Sequence, residues 1–187
     1  MEKLVKYLKE LKEYGIKNDI PNVTETVGRF LNMLVKIHKP KNILEIGCAN
    51  GYSTIWMAEA AKSVDSKIHT IDYSKPSFEE AKKNLAEVNL NDCVKFIFGN
   101  ALEVIPNLPD DLMFDFVFVD GVKRYYLDFW NAIQLRLSSR AVIIFDDMIA
   151  FPEKTKAFSN FIQSVEGFDQ VLLPIDGDDG ILFLIKD

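Results

Sequence analysis

Beyond residue 40 the chain alternates short, nearly uninterrupted apolar runs with longer segments whose apolar residues recur every three or four positions. The runs are NILEIG, KIHTID, VKFIFG, FDFVFVD, AVIIFDD, FDQVLLP and GILFLIKD. Between and after them lie YSTIWMAEAAK, SFEEAKKNLAEVN, ALEVIPNL, YYLDFWNAIQLRL and KTKAFSNFIQSV. A recurrence near 3.6 reads as helix, and a short continuous apolar run as a strand buried on both faces. Strands that alternate with helices predict a parallel sheet, because each helix must carry the chain back to the start of the next strand. Only IDGDDG separates the last two runs, which predicts a closing antiparallel hairpin. Upstream, Leu4, Leu8 and Leu11 stand at helical spacing before Gly15, and a second helical pattern runs from about Thr24 to Ile37 and stops before Pro40. The expected organisation is a helical extension over residues 1–38, serving as a lid or in oligomerisation, and one α/β domain over 39–187.

Composition narrows the class. At 187 residues, 48% hydrophobic and 27% charged, the chain is an ordinary globular protein able to bury a core without staples. Cys48 and Cys93 have neither metal-ligand spacing nor the numbers for a disulfide framework, which points to a reducing compartment, by default the cytoplasm. MEKLVKYLKELKEYG lacks the apolar core of a signal peptide, and no run approaches the length of a membrane span, so neither export by that route nor embedding is expected. A net charge of −6 gives no help toward a phosphate backbone, so a nucleic-acid partner is disfavoured.

In doubly wound sheets, ligands sit outside the carboxyl ends of the strands. The first strand ends in Glu45 and Gly47, the second in Asp72, the third in Gly99 and Asn100, the fourth in Asp120 and the fifth in Asp146 and Asp147. One acidic residue could cap a helix, but acids closing four of five strands point to a cation or a hydroxyl-rich ligand. Two adjacent carboxylates beside apolar residues repel each other and are costly unless a cation pairs with them. The loop EIGCANGYS carries Gly47 and Gly51, with Ala49 where a dinucleotide fingerprint would have its second glycine. A cofactor without a pyrophosphate fits better, and a tight turn with no ligand also explains the loop. Asp72 stands where an acid accepts from a ribose diol, or where it caps the helix beginning near Pro76.

LEIGCANGYSTIWMA, Asp72, GNALEVI, FDFVFVDGVKRYY, AVIIFDDMIAF and LLPIDGDDGILFLIK, in that order over about residues 20 to 187, resemble the S-adenosylmethionine-dependent O-methyltransferases of the catechol and caffeoyl-CoA type. The resemblance implies a Rossmann-like sheet. It also implies that Glu45, Gly47, Cys48, Ala49, Asn50, Gly51 and Ser53 hold the methionine end of S-adenosylmethionine. Asp72 with Tyr73 would take the ribose, Asn100 and Ala101 would border the adenine, and Asp120 would be both a cofactor-binding and a catalytic residue. Asp120, Asp146 and Asp147 match the metal positions, for Mg²⁺ or else Mn²⁺ or Ca²⁺. Lys123 matches the general base beside Asp120, and Tyr126 completes a Lys-x-x-Tyr spacing. A hard cation takes oxygen ligands and lowers the pKa of a bound hydroxyl. A lysine beside a cation is itself pushed toward the neutral form.

The chain departs from the family in three places. Asp147 replaces the usual Asn, which leaves three carboxylates around one divalent ion. Ser139, Arg140 and Ala141 stand where a glycine pair is common. The connection after Asp147 lacks the longer insertion that covers the substrate, so the acceptor pocket is expected to be open or completed by another subunit. The expected activity is methyl transfer to a hydroxyl of a small catechol-like molecule. Modification of hydroxyuridine in tRNA and a non-catalytic S-adenosylmethionine-binding role stay open as alternatives, and Ala49 weighs against an NAD oxidoreductase. A homodimer through the first two helices is expected by analogy. Tyr125, Tyr126, Phe129 and Trp130 read as core packing rather than a substrate box, His38 and His69 as structural, and Cys48 as lacking an activating partner.

Overall fold

The structure, a computed structural model, describes residues 2–187. Among them the chain forms α1 (Glu2–Lys17), α2 (Glu25–His38), β1 (Asn42–Ile46), α3 (Tyr52–Val64), β2 (Lys67–Asp72), α4 (Lys75–Glu87), β3 (Val94–Phe98), α5 (Ala101–Val104), β4 (Phe114–Val119), α6 (Tyr126–Ile133), β5 (Leu137–Phe145), α7 (Pro152–Ile162), β6 (Phe168–Asp176) and β7 (Asp179–Lys186). The strands join in one sheet of order β3-β2-β1-β4-β5-β7-β6. β1 to β5 pair in parallel, whereas β7 runs antiparallel to both β5 and β6. This is the mainly parallel, doubly wound sheet with a closing hairpin that the alternation of apolar runs predicts.

Side chains alternate across a strand, so a strand covered on both sides is apolar on both faces except where a buried polar group finds a hydrogen-bond partner. Ile43, Phe116, Phe118 and Ile144 join one core layer with Leu31, Val35 and Ile55 of α2 and α3. Their neighbours Leu44, Val117, Val119, Ile143 and Phe145 join the opposite layer with Tyr126, Phe129, Trp130 and Phe158 of α6 and α7. Leu8 and Leu11 of α1 belong to the first layer, so the N-terminal helices pack directly onto the sheet domain.

Several elements differ from the pattern. ALEVIPNL forms only the four-residue α5 followed by a 3₁₀ turn, since Pro106 lacks the N–H a continuing helix needs. α1 runs through Gly15 to Lys17, and α2 starts after Thr24, whose hydroxyl accepts from Val27 N at 3.4 Å. β5 begins at Leu137, and its pairing with β4 slips between Phe114 and Phe116. Arg140 lies in that bulge with φ of 62°, so the position often filled by a glycine pair keeps the left-handed backbone without the glycine. Among the described residues no helix is long and apolar enough to cross a membrane.

Candidate functional site

The chain winds from β1 toward β2 and β3 on one side and crosses to β4 and β5 on the other, which leaves a crevice beyond the carboxyl ends of β1 and β4. A cleft of about 720 Å³ lies there. Gly47 has φ of 90°, and a Cβ on it would stand 2.5 Å from the carbonyl oxygen of Asp120. The first loop can therefore pass tightly against the end of β4 because this residue has no side chain. Gly47, Cys48, Ala49, Ser53, Asp72, Tyr73, Asn100, Ala101, Asp120 and Lys123 all border the cleft, as the sequence places them.

Asp72 organises one end. Its Oδ2 accepts from Cys48 N at 3.1 Å and Ala49 N at 3.2 Å, and its Oδ1 from Ser74 N at 2.7 Å. The carboxylate thereby ties the glycine-rich loop to the start of α4, and Oδ1, with one N–H bound, keeps lone-pair capacity for a ligand hydroxyl. The tie holds Ala49 at φ of 45°, a strained backbone for a residue with a Cβ. Asp72→Ala orphans three N–H groups, and a loss of about 3 kcal/mol in urea unfolding is the expected result. A loss below about 1 kcal/mol, within the range of an ordinary surface substitution, would show that these bonds do not hold the loop.

Three residues assigned to ligand binding by resemblance stand behind the wall instead. Glu45 is fully buried and accepts from Ser53 Oγ at 2.7 Å, Thr54 Oγ1 at 2.6 Å and Thr70 Oγ1 at 2.6 Å. It fastens β1 to α3 and β2 and reaches the cleft through Ser53. Gly51 is turned toward Leu85 and Ala81 of α4. Asn50 is buried with its carbonyl bonded to Asn84 Nδ2 at 2.8 Å, and its own amide has no partner among the described residues. Cys48 stays an inert thiol, since burial and then the charges of Glu45 and Asp72 push its pKa well up.

At the other end, a 3₁₀ turn over Lys123–Tyr125 brings Lys123 back over the end of β4. Its Nζ bridges Asp120 Oδ1 at 2.7 Å and Asp147 Oδ2 at 2.5 Å. Burial pulls the ammonium down, but Asp120 and Asp147 outweigh it and hold the pKa above the usual lysine value. In this arrangement Lys123 is a committed cation, the reverse of the neutral base expected beside a metal.

Asp146 is 7% exposed, and burial, then Asp120 and Asp147, push its carboxyl up to about 8. Its carbonyl accepts from Tyr126 Oη at 2.8 Å, which locks the strand end onto α6. Asp147 adopts φ of 53°, a conformation that short polar side chains tolerate, and this aims its carboxylate at Lys123. Burial raises the Asp147 carboxyl to about 6 against the pull of Lys123.

A fourth carboxylate, Asp179 of β7, joins the rim. Burial raises it, but Asp147 and the N–H groups of Ala150, Gly180 and Ile149 outweigh that and hold it below the usual range. Its Oδ1 accepts those three N–H groups at 2.9, 2.6 and 3.0 Å. The hairpin residue thus anchors the short connection after β5.

The oxygen donors suit a hard cation, and Lys123, with Lys12 acting on Asp120 through its charge, offsets part of this acidic rim. Among the described residues no group of three acidic, His or Cys side chains is already placed to hold a metal ion, and the Lys123 ammonium bridges two of the carboxylates.

The strap Asp19–Val23 between α1 and α2 forms part of the cleft wall, and no motif marks it in the sequence. Tyr125, 42% exposed, and Phe129 face the cleft, whereas Tyr126 and Trp130 are fully buried, so the aromatic series divides between site and core.

Comparison with known proteins agrees with this geometry. A family profile described as O-methyltransferase matches residues 2–164. Catechol O-methyltransferase of Niastella koreensis is 33% identical over 130 residues, which cover 68% of this chain and 58% of that protein. Caffeoyl-CoA O-methyltransferase 1 of Eucalyptus globulus is 35% identical over 127 residues, 65% of this chain and 51% of that protein. The chain thus spans little more than half the length of these curated relatives. The crystal structure of an O-methyltransferase from Bacillus cereus in complex with SAH superposes with a TM-score of 0.88 at 26% identity, covering 97% of this chain and 91% of that one. With the profile spanning β1 to β5 and the helices that build the cleft, the chain belongs to the O-methyltransferase family.

Proposed function

We propose that the chain transfers a methyl group from S-adenosylmethionine to a hydroxyl of a small catechol-like acceptor, with a divalent cation, Mg²⁺ or else Mn²⁺ or Ca²⁺, at the rim. The observation that carries this reading is a single cleft with Asp72 and the glycine-rich loop at one end and Asp120 and Lys123 at the other. The first end suits a ribose and an amino-acid group, and the second suits an acceptor oxygen.

S-adenosylmethionine supplies an electrophilic methyl on a sulfonium centre. The cation would be held by Asp120, Asp146 and Asp147, where it would favour the ionised form of an acceptor hydroxyl. Asp72 and the loop N–H groups fix the donor end, so that the methyl and the acceptor oxygen meet in one orientation. Tyr125 and Phe129 give an aromatic acceptor an apolar surface. Lys123 takes the hydroxyl proton at Nζ once Asp120 and Asp147 no longer hold it charged, because both raise its pKa. The short connection after β5 leaves the acceptor side open, which fits a small molecule of varied shape.

Calorimetric titration of Mg²⁺ and Mn²⁺ into the protein saturated with S-adenosylmethionine tests the metal part. Saturable binding that Asp146→Ala abolishes, with cofactor affinity retained, is the expected result. No heat with either ion, or the same binding in Asp146→Ala, would remove the cation from this site.

A further inference from the structure

Two polar side chains of α1 run to two segments that build the cleft, Tyr7 to the back of the glycine-rich loop and Lys12 to the strap. Tyr7 Oη donates to Asn84 Oδ1 at 3.0 Å, and Asn84 Nδ2 donates to the carbonyl of Asn50 in the glycine-rich loop at 2.8 Å. Further along the helix, Lys12 Nζ donates to the carbonyls of Asn22 at 2.5 Å and Val23 at 2.9 Å. The same ammonium lies 5.7 Å from the ring centroid of Tyr52, whose neighbour Ser53 borders the cleft.

Asn22 and Val23 belong to the strap 19–23, which is neither helix nor strand. Val23 also packs into the core, and among the described residues the strap's other hydrogen bonds lie at its two ends, where Ile20 N donates to Gly15 O at 2.9 Å and Thr24 caps α2. Between those ends, Lys12 fixes the backbone.

Ordering a segment without regular structure costs conformational entropy residue by residue, and a ligand that must do the ordering binds more weakly by that amount. Charge-assisted bonds from a partly buried ammonium are the stronger kind and suit this task. We infer that Lys12 and Tyr7 are positioning residues for the cofactor: α1 is a brace that sets the strap through Lys12 and the glycine-rich loop through Asn84, so that both segments stand in place before S-adenosylmethionine enters. This rests on reading the cleft as the S-adenosylmethionine site. It also gives the charged, lightly buried α1, whose buried residues are Leu8, Leu11 and Gly15, a task beyond filling the core.

The test uses S-adenosylhomocysteine, a non-reacting probe, titrated calorimetrically into the full chain and into Lys12→Ala, Lys12→Arg and Tyr7→Phe, with urea unfolding of each ligand-free protein. Loss of the charged bonds is expected to raise Kd about tenfold in Lys12→Ala, and loss of the neutral Tyr7 bond about threefold in Tyr7→Phe. Lys12→Arg, which keeps the charge and the donors, is expected to recover affinity to within about twofold. A merely structural role would lower the urea midpoint and leave the Kd of the folded protein unchanged, and that result overturns the brace. So does a Lys12→Arg protein as weak as Lys12→Ala. If Lys12→Ala does not fold, an unchanged Kd in Tyr7→Phe overturns it as well. Failure of the unmodified chain to bind the probe would instead overturn the reading of the cleft, and the brace with it.

Discussion

Lys123→Ala is expected to lower methyl transfer by about 10²- to 10⁴-fold, the range for loss of a positioned general base. Cofactor affinity should stay within about twofold, because the loss falls on the transition state. The same substitution removes the cation that bridges Asp120 and Asp147, so a rate loss alone does not separate proton transfer from charge compensation. Lys123→Arg separates them. An arginine keeps the positive charge and can still bridge two carboxylates, yet it does not deprotonate in the working range. If Lys123 is the base, Lys123→Arg is nearly as slow as Lys123→Ala, and both lose the limb of the pH–rate profile that follows base ionisation. An arginine variant with near-normal turnover would make Lys123 an electrostatic clamp and move the base elsewhere.

The sheet and its order of elements were legible because strands buried on both faces leave continuous apolar runs, and crossover helices leave a different period. Ile43 and Leu44 show why: neighbours in sequence, they belong to opposite core layers, and neither position tolerates a polar residue. The cleft end of each strand was legible for a related reason, since Asp72 and Asp120 interrupt apolar runs at a cost that demands a purpose. The cleft-facing residues of the loop could not be told from those behind it. Glu45 reads as a ligand in sequence, but the hydroxyls that saturate it come from Ser53, Thr54 and Thr70 on two other elements. Asp179 gave no warning, since its place depends on how far the hairpin folds back over the end of β5. Lys12 gave none either, as one lysine among several on a charged helix, distinguished by which carbonyls it meets after folding.

The metal- and cofactor-free protein is expected to lose stability as the pH rises from about 5 to 8, with Glu45 alone contributing about 3 kcal/mol of the loss. Burial pushes the Glu45 carboxyl up to about 7, against the three hydroxyls that pull it down. A raised carboxyl binds its proton more tightly in the folded chain than in the unfolded one. Its contribution is therefore fully present below its ordinary value of 4.5 and is lost as the pH climbs through 7. Asp146, raised to about 8 by burial and by its acidic neighbours, acts in the same direction over a window that extends further up. Urea unfolding at the two ends of the range measures the sum, and Glu45→Gln isolates one share. The glutamine cannot ionise, so its penalty should be largest near pH 5, where the native carboxyl is protonated, and should shrink toward pH 8, where the native protein bears a buried charge. A penalty that does not change with pH would mean that Glu45 keeps its charge throughout and that its three hydroxyl bonds outweigh its burial. In that case Ser53 would keep its hydroxyl hydrogen on Glu45 at every working pH and could meet a cofactor only as an acceptor, which would take it out of the set that binds a carboxylate.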